Sequence, residues 1–292
     1  MSPIDQPFNA NRQVDGARFF LLVGSQRCGS NFLREVLVTH PHAAVQGEIF
    51  YPYPLPNCFH SFVRSVATRP MPPQFYEDAV GLMDDYLVFL REDSKRSFPA
   101  KAGSIAAIGL DVKYNQMRFL SPVHHDLGAR PILFDYCAAR GIPILHLVRT
   151  NVIHQALSLV LAETRNAYHR FGSASTQSGP VEVSLPRLLE CARWVESETG
   201  TFRKMAKGMK VLEVSYERVA GACARSVPGD KLGPSVRVMA EIAEFLGLAS
   251  EFSNPTTIQK MIDRPYRELV SNYEEMKAGI RSSEFEPFLE SI

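Results

Sequence analysis

The sequence predicts an α/β fold in which a parallel sheet is flanked by helices on both faces. Short, nearly continuous apolar runs such as Phe19 to Val23 and Ile144 to Val148 have the pattern of strands buried on both sides. These runs alternate with stretches of helical length, as crossover connections between parallel strands require. The first run leads into a glycine-bounded turn, Gly24-Ser25-Gln26-Arg27-Cys28-Gly29, directly before a helix.

Taken in chain order, strands are expected at 18–23, 43–46 (the weakest), 106–112, 143–148 and 210–215. Helices are expected at 30–39, 74–92, 131–140, 151–164, 184–207 and 235–247. Asn151 is suited to cap the helix that follows the fourth strand. The single tryptophan, Trp194, falls in an amphipathic helix and is assigned to the core. The stretch 51–73, rich in proline and aromatic residues, reads as an irregular insertion able to line a substrate cleft. The stretch 166–183 is the candidate lid. One domain over 1–292 is expected, with its core at about 18–250 and the segment 251–292 packing near the cofactor site.

Composition narrows the class without selecting an activity. The 292 residues carry a net charge of +1 with histidine neutral, which argues against a nucleic-acid footprint or a polybasic membrane patch. Residues 1–17 lack an apolar signal core, and no apolar run approaches membrane-spanning length. Five scattered cysteines (Cys28, Cys58, Cys137, Cys191 and Cys223) form no Cys-x-x-Cys pair and no zinc pattern. The expectation is a reduced cytoplasmic protein without a structural metal; a homodimer is left open.

The turn carries the chemistry. Its Gly24-x4-Gly29 spacing is that of a P-loop, in which backbone N–H groups and a helix N-terminus bind an anion. A nucleoside triphosphatase places Lys and then Ser or Thr after the second glycine, for the phosphates and for magnesium. Here those positions hold Ser30 and Asn31, and the cation lies inside the loop as Arg27. This points away from magnesium-dependent hydrolysis and towards a metal-free, phosphate-type donor. At the fourth strand, Arg149 and Ser158 lie at the strand end and on the following helix, and a guanidinium fork suits a phosphate dianion.

The segment Gln26 to Asn31 resembles the phosphosulfate loop of sulfotransferases that use 3′-phosphoadenosine-5′-phosphosulfate (PAPS), with Gln for the usual Pro and Cys for the usual Ser. Arg149 and Ser158 match that superfamily's 3′-phosphate site, at a spacing similar to the bacterial carbohydrate sulfotransferases. Three further segments resemble the nodulation-factor and trehalose branches, Thr39 to Phe50, Ile108 to Gln116 and Arg264 to Glu275, and Val211 to Val219 resembles the strand and Tyr-Glu turn that recurs across the superfamily. The resemblance implies a sulfotransferase architecture with PAPS as sulfuryl donor, PAP as product and no metal. It assigns the donor to Arg27, Cys28, Gly29, Ser30, Asn31, Arg149, Ser158 and Tyr216, the last as an adenine platform. The leaving-group cation would be Arg27 and a second cation Lys113, which otherwise reads as a surface lysine. Glu48 would be the acceptor base, with His124 and His125 as competitors.

The acceptor implied is a small molecule or glycan, through a hydroxyl or an amine, with a non-sugar natural product as the alternative. Two other functions stay in view. A nucleotide kinase would need the P-loop lysine and magnesium ligand, and a silent nucleotide-binding module would be expected to lack the base.

Overall fold

Five parallel strands form one sheet in the order β2-β3-β1-β4-β5, so the first strand of the sequence lies at its centre. The computed structural model describes residues 16–51, 55–66, 79–121, 129–165, 179–220, 235–253 and 264–291. The elements run β1 (Arg18–Gly24), α1 (Ser30–Thr39), β2 (Ala43–Glu48), α2 (Phe59–Val66), α3 (Ala79–Ser97), β3 (Ala107–Lys113) and α4 (Ile132–Arg140). They continue with β4 (Ile144–Val148), α5 (Val152–Thr164), α6 (Leu185–Met205), β5 (Val211–Ser215), α7 (Tyr216–Val219), α8 (Val236–Leu246), α9 (Tyr266–Leu269) and α10 (Tyr273–Arg281). All five expected strands and the expected two-sided covering are present.

The period-two rule assigns the two faces. Phe20 and Leu22 of β1 pack with Phe32, Leu33 and Val36 of α1 and Ile242 of α8. Leu21 and Val23 point the other way, to Met83 and Tyr86 of α3 and Leu133 of α4. A third cluster joins the almost wholly buried α5 to α6 and to α9 and α10. The C-terminal end of α1 is held by Lys101, whose ammonium donates to the carbonyls of Val38, His40 (2.8 Å) and Ala43 (3.1 Å). Polar groups also lie inside the sheet, His146 among them. His146 of β4 is fully buried, with Glu213 2.9 Å from Nδ1 and the Tyr114 hydroxyl 2.6 Å from Nε2. Nδ1–H donating to the carboxylate and the Tyr114 O–H donating to Nε2 satisfy both contacts.

Three sequence expectations need correction. The 51–73 stretch is not irregular throughout: Phe59, Phe62 and Val63 recur at helical spacing and bury one face of α2. Residues 52–54 and 67–73 lie outside the described residues. Helix α3 continues to Ser97 rather than stopping near 92, supported by Glu92–Lys95 and Asp93–Arg96 pairs before Pro99. Trp194 is 38% exposed, because the buried line of α6 runs through Leu188, Cys191, Ala192, Val195 and Phe202 and misses it. The expected lid falls largely outside the described residues, as do 74–78, His124, His125 and Cys223.

Candidate active site

Five strands that all point the same way bring their carboxyl ends to one edge, where open α/β sheets bind ligands. Along that edge the strands deliver Glu48 (β2), Lys113 (β3), the loop after Gly24 (β1), Arg149 (after β4) and Tyr216 (after β5). The site is therefore composed of chain segments far apart in sequence.

The loop is tightly constrained. A side chain at Gly24 would lie 2.6 Å from the Leu147 carbonyl oxygen and 2.7 Å from the Cys28 sulfur. Gly29 has φ +97°, and a Cβ there would come within 2.3 Å of the Tyr216 ring. Arg27 adopts φ 61°, the left-handed region that costs a residue with a Cβ. Helix α1 starts at Ser30 with no side-chain cap and no acidic residue in its first turn. Its positive dipole end faces the loop and suits an anion, while the Ser30 amide also lies against the Cys28 sulfur.

On the β4 side of the loop, cations gather. Arg27 Nε donates to Ser158 Oγ at 3.1 Å. Burial, and then the neighbouring Arg149 charge, lower the Arg27 pKa from the ordinary arginine value. Arg149 lies with its guanidinium carbon 5.3 Å from the centre of the Tyr216 ring, a cation–π contact. Its Nε is buried without a hydrogen-bond partner, 3.8 Å from Glu217. Glu217 in turn accepts from the Thr150 amide at 3.0 Å. Buried Tyr266 faces both arginines, whose charges oppose the rise that burial causes in its pKa. Gln155 ties α5 to the loop by donating to the Gln26 carbonyl at 2.7 Å. Asn151 caps α5 by accepting from the His154 amide at 2.9 Å, as its sequence position predicts.

On the β3 side a second network forms. Lys113 Nζ donates to Ser30 Oγ and to Asp111 Oδ1, both at 2.6 Å. The Lys113 side chain is 5% exposed and that of Asp111 is 1% exposed, so Lys113 is not the surface lysine of the alternative reading. Gln116 accepts from the Lys113 amide at 3.0 Å and donates to Glu48 Oε2 at 2.7 Å. The β2–β3 register shifts between Gln46 and Glu48, which brings Glu48 opposite Asp111.

Of the residues singled out from sequence, Arg27, Ser158, Arg149 and Tyr216 gather on one side of the loop, and Ser30, Lys113 and Glu48 on the other. Arg27 and Ser158, assigned to opposite ends of the donor, are in direct contact. The Cys28 thiol turns inward and burial raises its pKa, so that residue presents only its backbone to the loop. Asn31 is exposed and accepts from Arg34 at 3.3 Å. Sequence reasoning missed Asp111, Gln116, Glu217 and Tyr266. Asp111 and Lys113 stand two apart in a strand and so share a face, a signal that was available.

Among the described residues, no three His, Cys, Asp or Glu side chains gather to hold a metal ion, and no helix is long and apolar enough to cross a membrane. No family model matches the chain, and no curated protein matches it. Solved structures similar to it include the sulfotransferase domain of the Synechococcus PCC 7002 olefin synthase, at 15% identity and TM-score 0.40, covering 89% of this chain and 83% of that one. Another is the sulfotransferase domain from the curacin biosynthetic pathway, at 13% identity and TM-score 0.43, covering 89% and 86%. The chemistry of the site follows from its own residues.

Proposed function

We propose that the chain is a sulfotransferase that moves the sulfuryl group of PAPS to a hydroxyl or amine of an acceptor and releases PAP. The observation that carries this reading is the pairing of two guanidinium groups, Arg27 and Arg149, beside a P-loop-like turn that lacks the lysine and hydroxyl of magnesium–nucleotide sites. Arg149 Nε, buried without a hydrogen-bond partner, fits a phosphate oxygen, and the uncapped start of α1 fits a second anionic group.

In the reaction the acceptor atom bonds to sulfur while the bond from sulfur to the bridging phosphate oxygen breaks, its electron pair leaving on the phosphate. Arg27 and the amides at 29–31 neutralise the charge on that phosphate. Ser30, which accepts from Lys113, keeps its own O–H to donate to a transferred oxygen, and the Lys113 ammonium stands behind it. Glu48 takes the acceptor proton, and Gln116 holds the carboxylate that receives it. As in phosphoryl transfer, positioning and electrostatics account for most of the rate.

The resemblance favours a sugar hydroxyl on a glycan or disaccharide as acceptor. Titration calorimetry with PAP and with ATP–magnesium tests the donor, and transfer of radiolabelled sulfate from PAPS to a panel of sugar and non-sugar acceptors tests the reaction. Binding of ATP–magnesium but not PAP would sink the reading in favour of a kinase. Tight PAP binding with no transfer to any acceptor would favour a silent nucleotide-binding module.

A further inference from the structure

Lys113 is a lysine almost wholly enclosed by protein, and a charge in that position is stable only with a partner. That partner is on its own strand. Positions 111 and 113 project from the same face of β3, towards α1, which places Asp111 Oδ1 2.6 Å from the ammonium. The other oxygen, Oδ2, has no hydrogen-bond partner and faces Arg34 of α1 at 3.9 Å. The carboxylate therefore stands between two cations and binds only one of them directly.

We propose that Asp111 is a positioning residue: its carboxylate keeps the Lys113 ammonium charged and aims it at Ser30, beneath the loop that receives the transferred group. This deepens the sulfotransferase reading and rests on it for the role of Ser30. Asp111 is fully buried and touches no ligand site directly, so it acts through Lys113. Without it, Lys113 would have no carboxylate in direct contact, and burial would favour the neutral amine. Burial is the largest single influence and lowers the amine pKa; the Asp111 charge opposes it most, and together with Cys28, Glu48 and the Asp111 hydrogen bond it leaves the pKa raised. The groups facing the ammonium are Asp111 on β3, Cys28 and Ser30 on the loop and α1, and Glu48 on β2, with Arg34 of α1 behind Asp111.

The test uses the full chain with lysines carbon-13-labelled at the ε position, the Lys113 signal being assigned by its loss in Lys113→Met. In the wild type this signal should keep ammonium character from about pH 6 to about pH 10. In Asp111→Asn it should titrate within that range, about two units or more below an ordinary lysine. The alkaline limb of the turnover profile should move down with it, while PAP affinity stays within about twofold. A Lys113 signal unchanged in Asp111→Asn would overturn the proposal.

If Asp111→Asn does not fold, Asp111→Glu decides. It keeps the charge on a longer arm, so the signal should remain ammonium while turnover falls about tenfold or more. Wild-type turnover in Asp111→Glu would show that the aim of Lys113 does not matter. Failure of the wild type to bind PAP would count against the sulfotransferase reading alone, because the resonance measurement needs neither donor nor turnover.

Discussion

The Arg27 guanidinium donates to the Ser158 hydroxyl at 3.1 Å, joining the loop after β1 to the helix after β4. Two parts of the proposed donor site that sequence treats as separate are thus one unit. The backbone at Arg27 is in the left-handed region, so this bond also helps to hold a conformation that the residue does not favour by itself.

The two residues should therefore be coupled in donor binding. In a double-mutant cycle with Arg27→Ala and Ser158→Ala, the combined loss of PAP affinity should be smaller than the sum, by about 1 kcal/mol or more. Titration calorimetry on the four proteins measures it. Strict additivity would mean that the bond contributes nothing to the site.

Arg149 should act on the 3′-phosphate. Arg149→Ala is expected to weaken PAP by on the order of a hundredfold, as for loss of a charge-assisted bidentate contact, and to weaken adenosine 5′-phosphosulfate far less. Equal losses would remove Arg149 from that subsite. PAP binding by the wild type should survive EDTA.

Glu48→Gln keeps the shape of the side chain but cannot accept a proton. Turnover should fall by roughly 10²–10⁴ while PAP affinity is nearly unchanged. Gln116→Leu removes the donor to Glu48, and its effect should be in the same direction but smaller, roughly tenfold. Normal turnover in Glu48→Gln would move the base elsewhere, with His124 and His125 the first residues to test.

Gly29→Ala places a methyl group against the Tyr216 ring and asks alanine to adopt φ +97°. The expected cost is roughly 1–3 kcal/mol, read as a lower urea midpoint, with a concurrent loss of PAP affinity. Unchanged stability and affinity would show that the loop can rearrange at no cost.

Acid should weaken the fold through the contact between β4 and the edge strand β5. Glu213 has its pKa lowered to about 2 by hydrogen bonds from His146 and Arg203, so the stability it contributes is present above the usual carboxylate range and is lost as pH falls towards about 2. Burial lowers the pKa of His146, so the unfolded chain gains its proton first and stability also falls on acidification through about pH 6.5. Urea midpoints measured against pH should decline in both windows. Glu213→Gln should flatten the lower one.

The strands were legible because burial on both faces forces apolar runs such as Phe19–Val23, and the loop because Gly24 and Gly29 have no room for side chains. Asp111 was not singled out because a charge in a strand reads as solvent-facing until a partner is placed beside it. Tyr266 was overlooked for a different reason: its place between Arg27 and Arg149 depends on long-range packing of the C-terminal segment on α5 and α6. Trp194 was misassigned because amphipathicity tells that a helix has a buried side but does not fix which large residue falls on its margin.

The central position of β1 has a consequence for how the proposed site is assembled. Its partners are distant in sequence, Leu21 pairing with Leu110 on one side and Ile144 on the other, so the sheet closes only after long stretches of chain have been brought together. Such non-local topologies fold slowly. No early fragment contains the proposed anion site complete, since Arg27 and Arg149 meet only once β4 has docked on β1 and Tyr216 only once β5 has docked on β4. During refolding, PAP capture should accordingly lag behind the gain of helix, making the ligand a reporter of the last assembly step.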